Sequence, residues 1–324
     1  MLRIGIIGTN IISDRFIDAA KKLNGVSVTA VFSRTHESGN AFAKRHDIEK
    51  VYTDLSAFAA SNALDAAYVA SPNLCHAAQS TLLLSHKKHV LCEKPLTATH
   101  AEFSAVRNAA KENACVLLEA MRPVFTPTYE RIRAWLPEIG RIRSAFFNFC
   151  QYSSRYDRFL NGEILNAFNP ALANAALLDI GVYPVHVMLS LFGMPKDAKS
   201  HSVFLENGFE GAGHILCAYD GFHATVSYSK IHGSSLASVI EGEKGCVTVS
   251  AMNAFDTVTL ATRDGRKESF TNDTENNMIY ELSAFRDAVN GTRDVSAFLD
   301  TSDAVSRFLD GIRAQNGIVF PCDE

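Results

Sequence analysis

Glu93-Lys94-Pro95 stands where a short buried strand, His89 to Cys92, runs out. Open α/β sheets bind ligands outside the carboxyl ends of their strands, so a lysine there can meet a ligand and whatever reacts with it. Taken alone the tripeptide reads as a solvated turn; its place in the chain argues for chemistry. Further on, Asp179, Tyr183 and His186 fall at i, i+4 and i+7 of a helix expected from about residue 175 to 192. That spacing puts three polar groups on one helix face. Lys94, Tyr183 and Asp179 together suit the exchange of a proton with a hydroxyl or carbonyl oxygen. A phenol ordinarily titrates near 10, too high for a base at neutral pH, and a nearby ammonium favours its ionised form. Lys94 is the candidate, as that electrostatic partner or as the proton donor itself. Asp179 would orient Lys94 or a substrate hydroxyl. His186 reads as a core or pocket-wall histidine, and a half-buried aromatic bonded to backbone is the competing reading of Tyr183.

A second constellation lies at the amino end. Gly5-Ile6-Ile7-Gly8-Thr9-Asn10-Ile11-Ile12-Ser13 joins the first strand to the first helix, the position of a dinucleotide fingerprint. Gly8 permits the tight turn. Asn10 occupies the place of the second glycine and, as a residue that tolerates left-handed backbone, preserves the turn with some crowding. The helix N-terminus offers amides and a positive dipole end to a phosphate. At the end of the second strand comes Ser33-Arg34-Thr35, one cation and two hydroxyls, where NAD-preferring proteins carry Asp or Glu. A guanidinium suits a 2′-phosphate, so NADP is the expected cofactor and NAD the alternative. Ser71-Pro72-Asn73 follows another strand end, with an ordinary turn as its competing reading, and His76 packs nearby. The residues expected to line the dinucleotide are Gly8, Thr9, Asn10, Ile11, Ser33, Arg34, Ser71, Asn73, His76, Glu93 and Lys94.

The elements that must position these groups are legible as pattern. Strands at Leu2–Ile7, Val26–Phe32, Ala66–Ala70, His89–Cys92 and Val116–Glu119 alternate with helical stretches near 12–23, 38–46, 75–85 and 99–113, the signature of a doubly wound parallel sheet. Past Met121 the texture changes to a helix near Thr128–Trp135, a long strand Arg141–Tyr152 and an irregular stretch to Asn174. The helix bearing Asp179 follows, stopped by Gly193 and Pro195. From Ala198 to Phe270 the chain reads as an antiparallel meander, with Asp220-Gly221 and Asp264-Gly265 as hairpin turns, and two helices close it. Two domains are expected: 1–120, dinucleotide-binding, and 121–324, for substrate and oligomerisation.

A net charge of −4 in 324 residues gives no footprint for nucleic acid or an anionic membrane. The seven cysteines are never spaced Cys-x-x-Cys, so they predict free thiols with neither disulfide frame nor metal site. With no basic leader and no apolar run of about 20 residues, a cytoplasmic protein is expected.

With Gly8, Ser71-Pro72-Asn73, His76, Glu93-Lys94-Pro95, Glu119-Ala120-Met121 and Leu177 through Pro184 in order, the whole chain resembles the glucose–fructose oxidoreductase, inositol dehydrogenase and rhizopine-catabolism (Gfo/Idh/MocA) family. The resemblance implies a Rossmann nucleotide domain and an α+β domain with a large open, mostly antiparallel sheet through which the chain forms a homodimer or higher homo-oligomer. Members commonly carry Asp-x-Gly-x-His, whereas Asp179-x-Gly181-x-Tyr183 is similar to the dihydrodiol dehydrogenase branch, where a tyrosine takes the acid–base role. Where relatives have a glycine run, Ala173-Asn174-Ala175 stands, each added Cβ narrowing the approach of substrate or nicotinamide. The resemblance implies an NAD(P)-dependent oxidoreductase acting on a sugar, cyclitol or other small hydroxy or carbonyl compound. The alternatives are an NAD-using hydrolase or lyase, and a silent dinucleotide sensor, which would have no need of Lys94, Asp179 and Tyr183. Arg122, Phe125 and the polar segment Arg155, Tyr156, Arg158 and Asn161 read equally as substrate contacts or as solvated loop.

Overall fold

The structure is a computed structural model that describes residues 1–323. It divides into two compact units, Met1–Ala120 with Asn276–Asp303, and Met121–Glu275 with Ala304–Glu324.

In the first unit six strands among the described residues, β1 (Leu2–Ile7), β2 (Val26–Phe32), β3 (Lys50–Tyr52), β4 (Ala66–Val69), β5 (His89–Glu93) and β6 (Leu117–Ala120), make a parallel sheet of order β3-β2-β1-β4-β5-β6. Helices α1 (Ile11–Lys22), α2 (His36–His46), α3 (Leu55–Ala60), α4 (Asn73–Ser85) and α5 (His100–Glu112) make the crossovers. The strand order reverses between β1 and β4, which is where an open α/β sheet opens a ligand crevice. β4 is buried throughout, as a strand covered on both faces must be; Phe58, Leu83, Leu84, Val90 and Phe103 fill one layer of core. Two elements are absent from the sequence reading: β3 and α3, both too short to show a period. A further difference is 276–303, which the sequence reading leaves in the second domain. Asn276 Nδ2 donates to Arg15 O (2.8 Å) and Arg286 to Asn24 O (2.8 Å), fastening this segment to α1 and the turn after it.

The second unit runs through α6 (Pro127–Trp135), β7 (Ile142–Cys150), the short α7 (Tyr156–Leu160) and α8 (Val182–Phe192), which a π-helical turn, Leu177–Gly181, precedes. Seven more strands follow: β8 (Asp197–Phe204), β9 (Glu210–Tyr219), β10 (Phe222–Ser229), β11 (Ser238–Gly242), β12 (Gly245–Val249), β13 (Thr257–Thr262) and β14 (Lys267–Thr271). Helices α9 (Met278–Val289) and α10 (Ser296–Asn316) end the chain. The sheet has order β14-β13-β12-β11-β7-β10-β9-β8. Both Asp-Gly turns lie where the sequence reading has them, between β9 and β10 and between β13 and β14. The meander is nevertheless interrupted: β7 inserts between β10 and β11 and pairs parallel with β10. Its two free edges accept one strand each, and its Ala145 and Phe147 enter the core on the α8 side, Phe147 meeting Phe192 at 6.0 Å. The opposite face carries Phe146 beside Thr225 and Leu216, in register across β7, β10 and β9. Leu216 is 53% exposed. Around it stand Ser, Thr, Ala and three histidines, His201, His214 and His223, so this face is mixed rather than broadly apolar.

Candidate active site

The residues of the first unit expected to line a dinucleotide gather at the carboxyl ends of β1, β2, β4 and β5. Gly8 follows β1 with φ +105°, and a Cβ there would stand 2.4 Å from Ala70 O, so the turn admits glycine alone. Asn10 differs from expectation. Its backbone is extended (φ −103°), not left-handed, because its side chain works as the N-cap: Oδ1 accepts from Ser13 N (3.1 Å) while Nδ2 donates to Ala70 O (2.8 Å). The cap thus ties β1 to β4 across the switch point without the strain that a second-glycine substitution implies. α1 then starts at Ile11, which is 77% exposed, next to Thr9 and the helix amides.

At the end of β2 the two hydroxyls are already engaged. Ser33 is buried with its Oγ 2.5 Å from Ser38 Oγ, and Thr35 caps α2 by accepting from Ser38 N (3.3 Å). Arg34 stands exposed between them and is the group left for a ligand. After β4, Ser71 Oγ donates to Gln79 Oε1 (2.7 Å) and Asn73 opens α4. His76 is 1% exposed, with Nδ1 2.8 Å from Pro95 O and Nε2 2.9 Å from Ser71 O. Burial lowers its pKa against the pull of both carbonyls. With no surface to offer a cofactor, His76 fixes the Lys94-Pro95 turn against the end of β4.

Glu93 is likewise turned inward. Its Oε1 accepts from Tyr68 Oη (2.5 Å), whose ring stacks on Phe16 of α1 at 3.9 Å, and its Oε2 lies 3.3 Å from Lys94 N. Glu119 completes the frame, accepting from Leu96 N (2.9 Å) and Ser302 Oγ (2.6 Å), its carboxyl pushed up by burial. Lys94, half-buried, stands on a turn that two buried carboxyls and an imidazole immobilise.

The second unit carries the other groups. Asp179 lies in the π-helical turn and Tyr183 at the start of α8. The three groups of the expected polar face differ in exposure, and a π-helical turn holds the first of them. Asp179 keeps a side chain 37% exposed, whereas Tyr183 (4%) and His186 are buried. Burial depresses the His186 pKa to about 4, so it is neutral at physiological pH. Tyr183 Oη accepts from Arg122 Nη2 (2.9 Å), and its ring meets the edge of Phe149 at 5.6 Å. Asp179 Oδ2 lies 2.6 Å from Lys230 Nζ, a residue for which the sequence offers no signal. The turn is held from below by Glu210, which accepts from Leu177 N (2.9 Å) and Ser202 Oγ (3.1 Å). Burial raises the Glu210 pKa to about 7. Gly181 makes room for the Tyr228 ring, 3.0 Å from where a Cβ would be.

Two other expectations change. Ala173 keeps the left-handed backbone of a glycine (φ 56°, ψ 43°) but is wholly buried, so its Cβ narrows no approach path. In the polar segment, Arg158 is paired with Glu163, Tyr152 Oη donates to Asp157 (2.5 Å) and Tyr156 stacks on Phe168 at 5.6 Å. Arg122 and Phe125 are buried. Among the described residues no group of three His, Cys, Asp or Glu has the arrangement of a metal site, and no helix is long and apolar enough to cross a membrane.

These features agree with what the chain resembles. Residues 2–121 match the model of the oxidoreductase family with an NAD-binding Rossmann fold, and 129–248 the GFO/IDH/MocA C-terminal domain. The scyllo-inositol 2-dehydrogenase (NADP(+)) IolU of Bacillus subtilis is 39% identical over the full length of both chains. Human trans-1,2-dihydrobenzene-1,2-diol dehydrogenase is 28% identical over 100% of this chain and 99% of its own. Among solved structures, the 3-ketoreductase KijD10 of Actinomadura kijaniata, in complex with NADP and TDP-benzene, superposes with a TM-score of 0.85 at 24% identity, over 97% and 98% of the two chains. The chain belongs to the GFO/IDH/MocA oxidoreductase family and is an NAD(P)-dependent oxidoreductase.

Proposed function

We propose that this chain is an NADP(H)-linked dehydrogenase that interconverts a hydroxyl and a carbonyl on a cyclitol or closely related polyol. The observation that carries the substrate class is the end-to-end likeness, at 39% identity, to an NADP-dependent scyllo-inositol dehydrogenase. The first unit fits a dinucleotide: Gly8 has no room for a Cβ, α1 presents its capped N-terminus, and Arg34 stands exposed at the end of β2, suited to a 2′-phosphate. When bound, the dinucleotide supplies the hydride chemistry.

The chain's own residues handle the proton. Lys94 of the first unit and Tyr183 of the second are each a candidate to take the proton of a substrate hydroxyl on oxidation and return it on reduction. Asp179 is suited to accept a hydrogen bond from a substrate hydroxyl. A guanidinium has donors only, so Tyr183 Oη is the acceptor in its hydrogen bond from Arg122 Nη2. Of the two expected roles of Asp179, orienting Lys94 or a substrate hydroxyl, the second is the one proposed, with Lys230 as the cation that meets its carboxylate in the second unit. A homodimer through the open sheet face and, from seven free cysteines, a cytoplasmic location complete the reading.

Assay of scyllo-inositol and other polyols at fixed NADP+ or NAD+, followed at the nicotinamide absorbance, tests it. Turnover of a cyclitol with preference for NADP+ is expected. Cleavage of substrate without net absorbance change would mean the hydrolase or lyase alternative, and light scattering of a clean monomer at micromolar concentration would remove the dimer.

A further inference from the structure

Lys230 has its backbone fixed on both sides, its N–H donating to Gly211 O (2.9 Å) and its carbonyl accepting from Ser153 N (2.9 Å). It stands just past the end of β10 in the second unit. From there a side chain only 5% exposed runs inward. Its ammonium meets Asp179 Oδ2 at 2.6 Å, donates to Ala167 O at 2.7 Å, and lies 4.9 Å and 5.2 Å from the ring centroids of Phe168 and Phe209. Buried ion pairs contribute little net stability, because desolvating the charges offsets their attraction. An ammonium placed under a carboxylate that itself remains partly exposed is better explained by what it does to that carboxylate.

We infer that Lys230 is a positioning residue for substrate recognition: it fixes Asp179 as an oriented, acceptor-only carboxylate that reads a substrate hydroxyl. An ionised carboxylate has no hydrogen to donate. With Oδ2 held by the ammonium, Asp179 meets the substrate in one orientation. The same ammonium holds Ala167 O and lies against the Phe168 and Phe209 rings. It therefore couples the irregular segment 166–168 to the carboxylate, and the ligand class it serves is a neutral polyol presenting a hydroxyl donor. A ketone or deoxy compound lacking that hydroxyl leaves the carboxylate unanswered.

The inference rests on the reading of Asp179 as a substrate contact, and four proteins separate the two: wild type, K230M, D179N and K230M/D179N. The measurements are kcat/KM for the best polyol, NADP+ affinity by fluorescence titration, and thermal midpoint. K230M should lower kcat/KM roughly 10- to 100-fold, the loss of a hydrogen bond to a charged group, with NADP+ affinity unchanged because the proposed dinucleotide residues belong to the other unit. In the D179N background, removing Lys230 should cost nothing further in kcat/KM, since its action passes through the carboxylate. If K230M fails to fold, comparing D179N with K230M/D179N decides the same question, the double variant having no carboxylate at 179 left without its cation. An additional loss of tenfold or more in the double variant would reduce Lys230 to a packing role. Normal kcat/KM in D179N would overturn the reading of Asp179 itself, whereas an impaired D179N beside a normal K230M would overturn only the role of Lys230.

Discussion

The two units hold their reactive side chains by different means. In the first unit several anchors at the strand ends are local: Asn10 caps three residues ahead, Ser33 meets Ser38 five ahead, and Ser71 reaches Gln79 eight ahead. Lys94 itself is framed from neighbouring strands and helices through Tyr68–Glu93, His76–Pro95 and Leu96–Glu119. Around Tyr183 and Asp179 the anchors come from afar, Arg122 over 61 residues and Glu210 over 33, with Lys230 on the edge of another strand. A parallel sheet delivers every strand end to one rim by topology, so short-range caps finish the first site. An antiparallel sheet gives no such rim, and the second site is assembled from single long-range pairs with charged or polar partners. Damage should therefore be graded in the first unit and abrupt in the second.

The largest expected effect falls on Lys94 and Tyr183, the residues proposed to handle the proton. K94M and Y183F should each lower kcat by roughly 10²–10⁴-fold, and Y183F should leave NADP+ affinity largely intact. The double variant should lose less than the product if the two act together. Steady-state kinetics and fluorescence titration decide it. Normal turnover by Y183F would assign the proton to Lys94, because the neutral, buried His186 is a poor substitute.

Next comes a pH effect confined to the second unit. Glu210 titrates near 7 in the fold and in the usual carboxylate range when unfolded, so the folded state binds its proton more tightly. Stability from this group is present below about pH 5 and is lost as pH rises through 7, by up to about 3 kcal/mol. His186 acts oppositely: lowered to about 4, it costs stability as pH falls below its ordinary value. E210Q removes the first slope and leaves the second. The thermal midpoint of E210Q should gain on wild type with each step from pH 5 to 8, and parallel curves for the two proteins would show that Glu210 is not perturbed.

Smaller still, R34A should weaken NADP+ binding by about 2 kcal/mol, the value of a charge-assisted pair at a partly open site. NAD+ binding should hardly change. Equal losses for both cofactors, by titration calorimetry, would mean that Arg34 stacks on the adenine instead of pairing with a phosphate.

Much of the first unit is legible in sequence because its signals are local. β1 and β2 have the bounds that their apolar runs suggest, and Gly8 announces its turn. The hydroxyls of Ser33 and Thr35, read in sequence as ligand groups, both bond Ser38 in the fold, and Thr35 before a helical stretch is a readable N-cap residue. In the second unit the meander is legible from its Asp-Gly turns, but the insertion of β7 is not, since pairing between distant strands leaves no periodic trace. Nor is the π turn, which differs from α-helix by one residue. Arg122 can be singled out by type alone; Lys230 and Glu210 gain meaning only when the sheet brings them beneath the site helix.

The smallest prediction concerns the position where glycine is expected and alanine stands. Ala173 adopts φ 56° at the cost, roughly 1–2 kcal/mol, that left-handed backbone imposes on a residue with a Cβ. A173G relieves this cost but loosens the unfolded chain by about 0.5–1 kcal/mol, leaving a net gain of at most about 1.5 kcal/mol. For a unit of this size that is a rise in thermal midpoint of no more than about 5 °C. Because Ala173 is buried, kcat and KM for polyols should stay at wild-type values. A fall in midpoint would show that packing of the methyl group outweighs the backbone strain. A change in KM would show the opposite of burial: that the glycine run shapes the substrate path after all, and that long-range assembly in this unit extends to the loop before its helix.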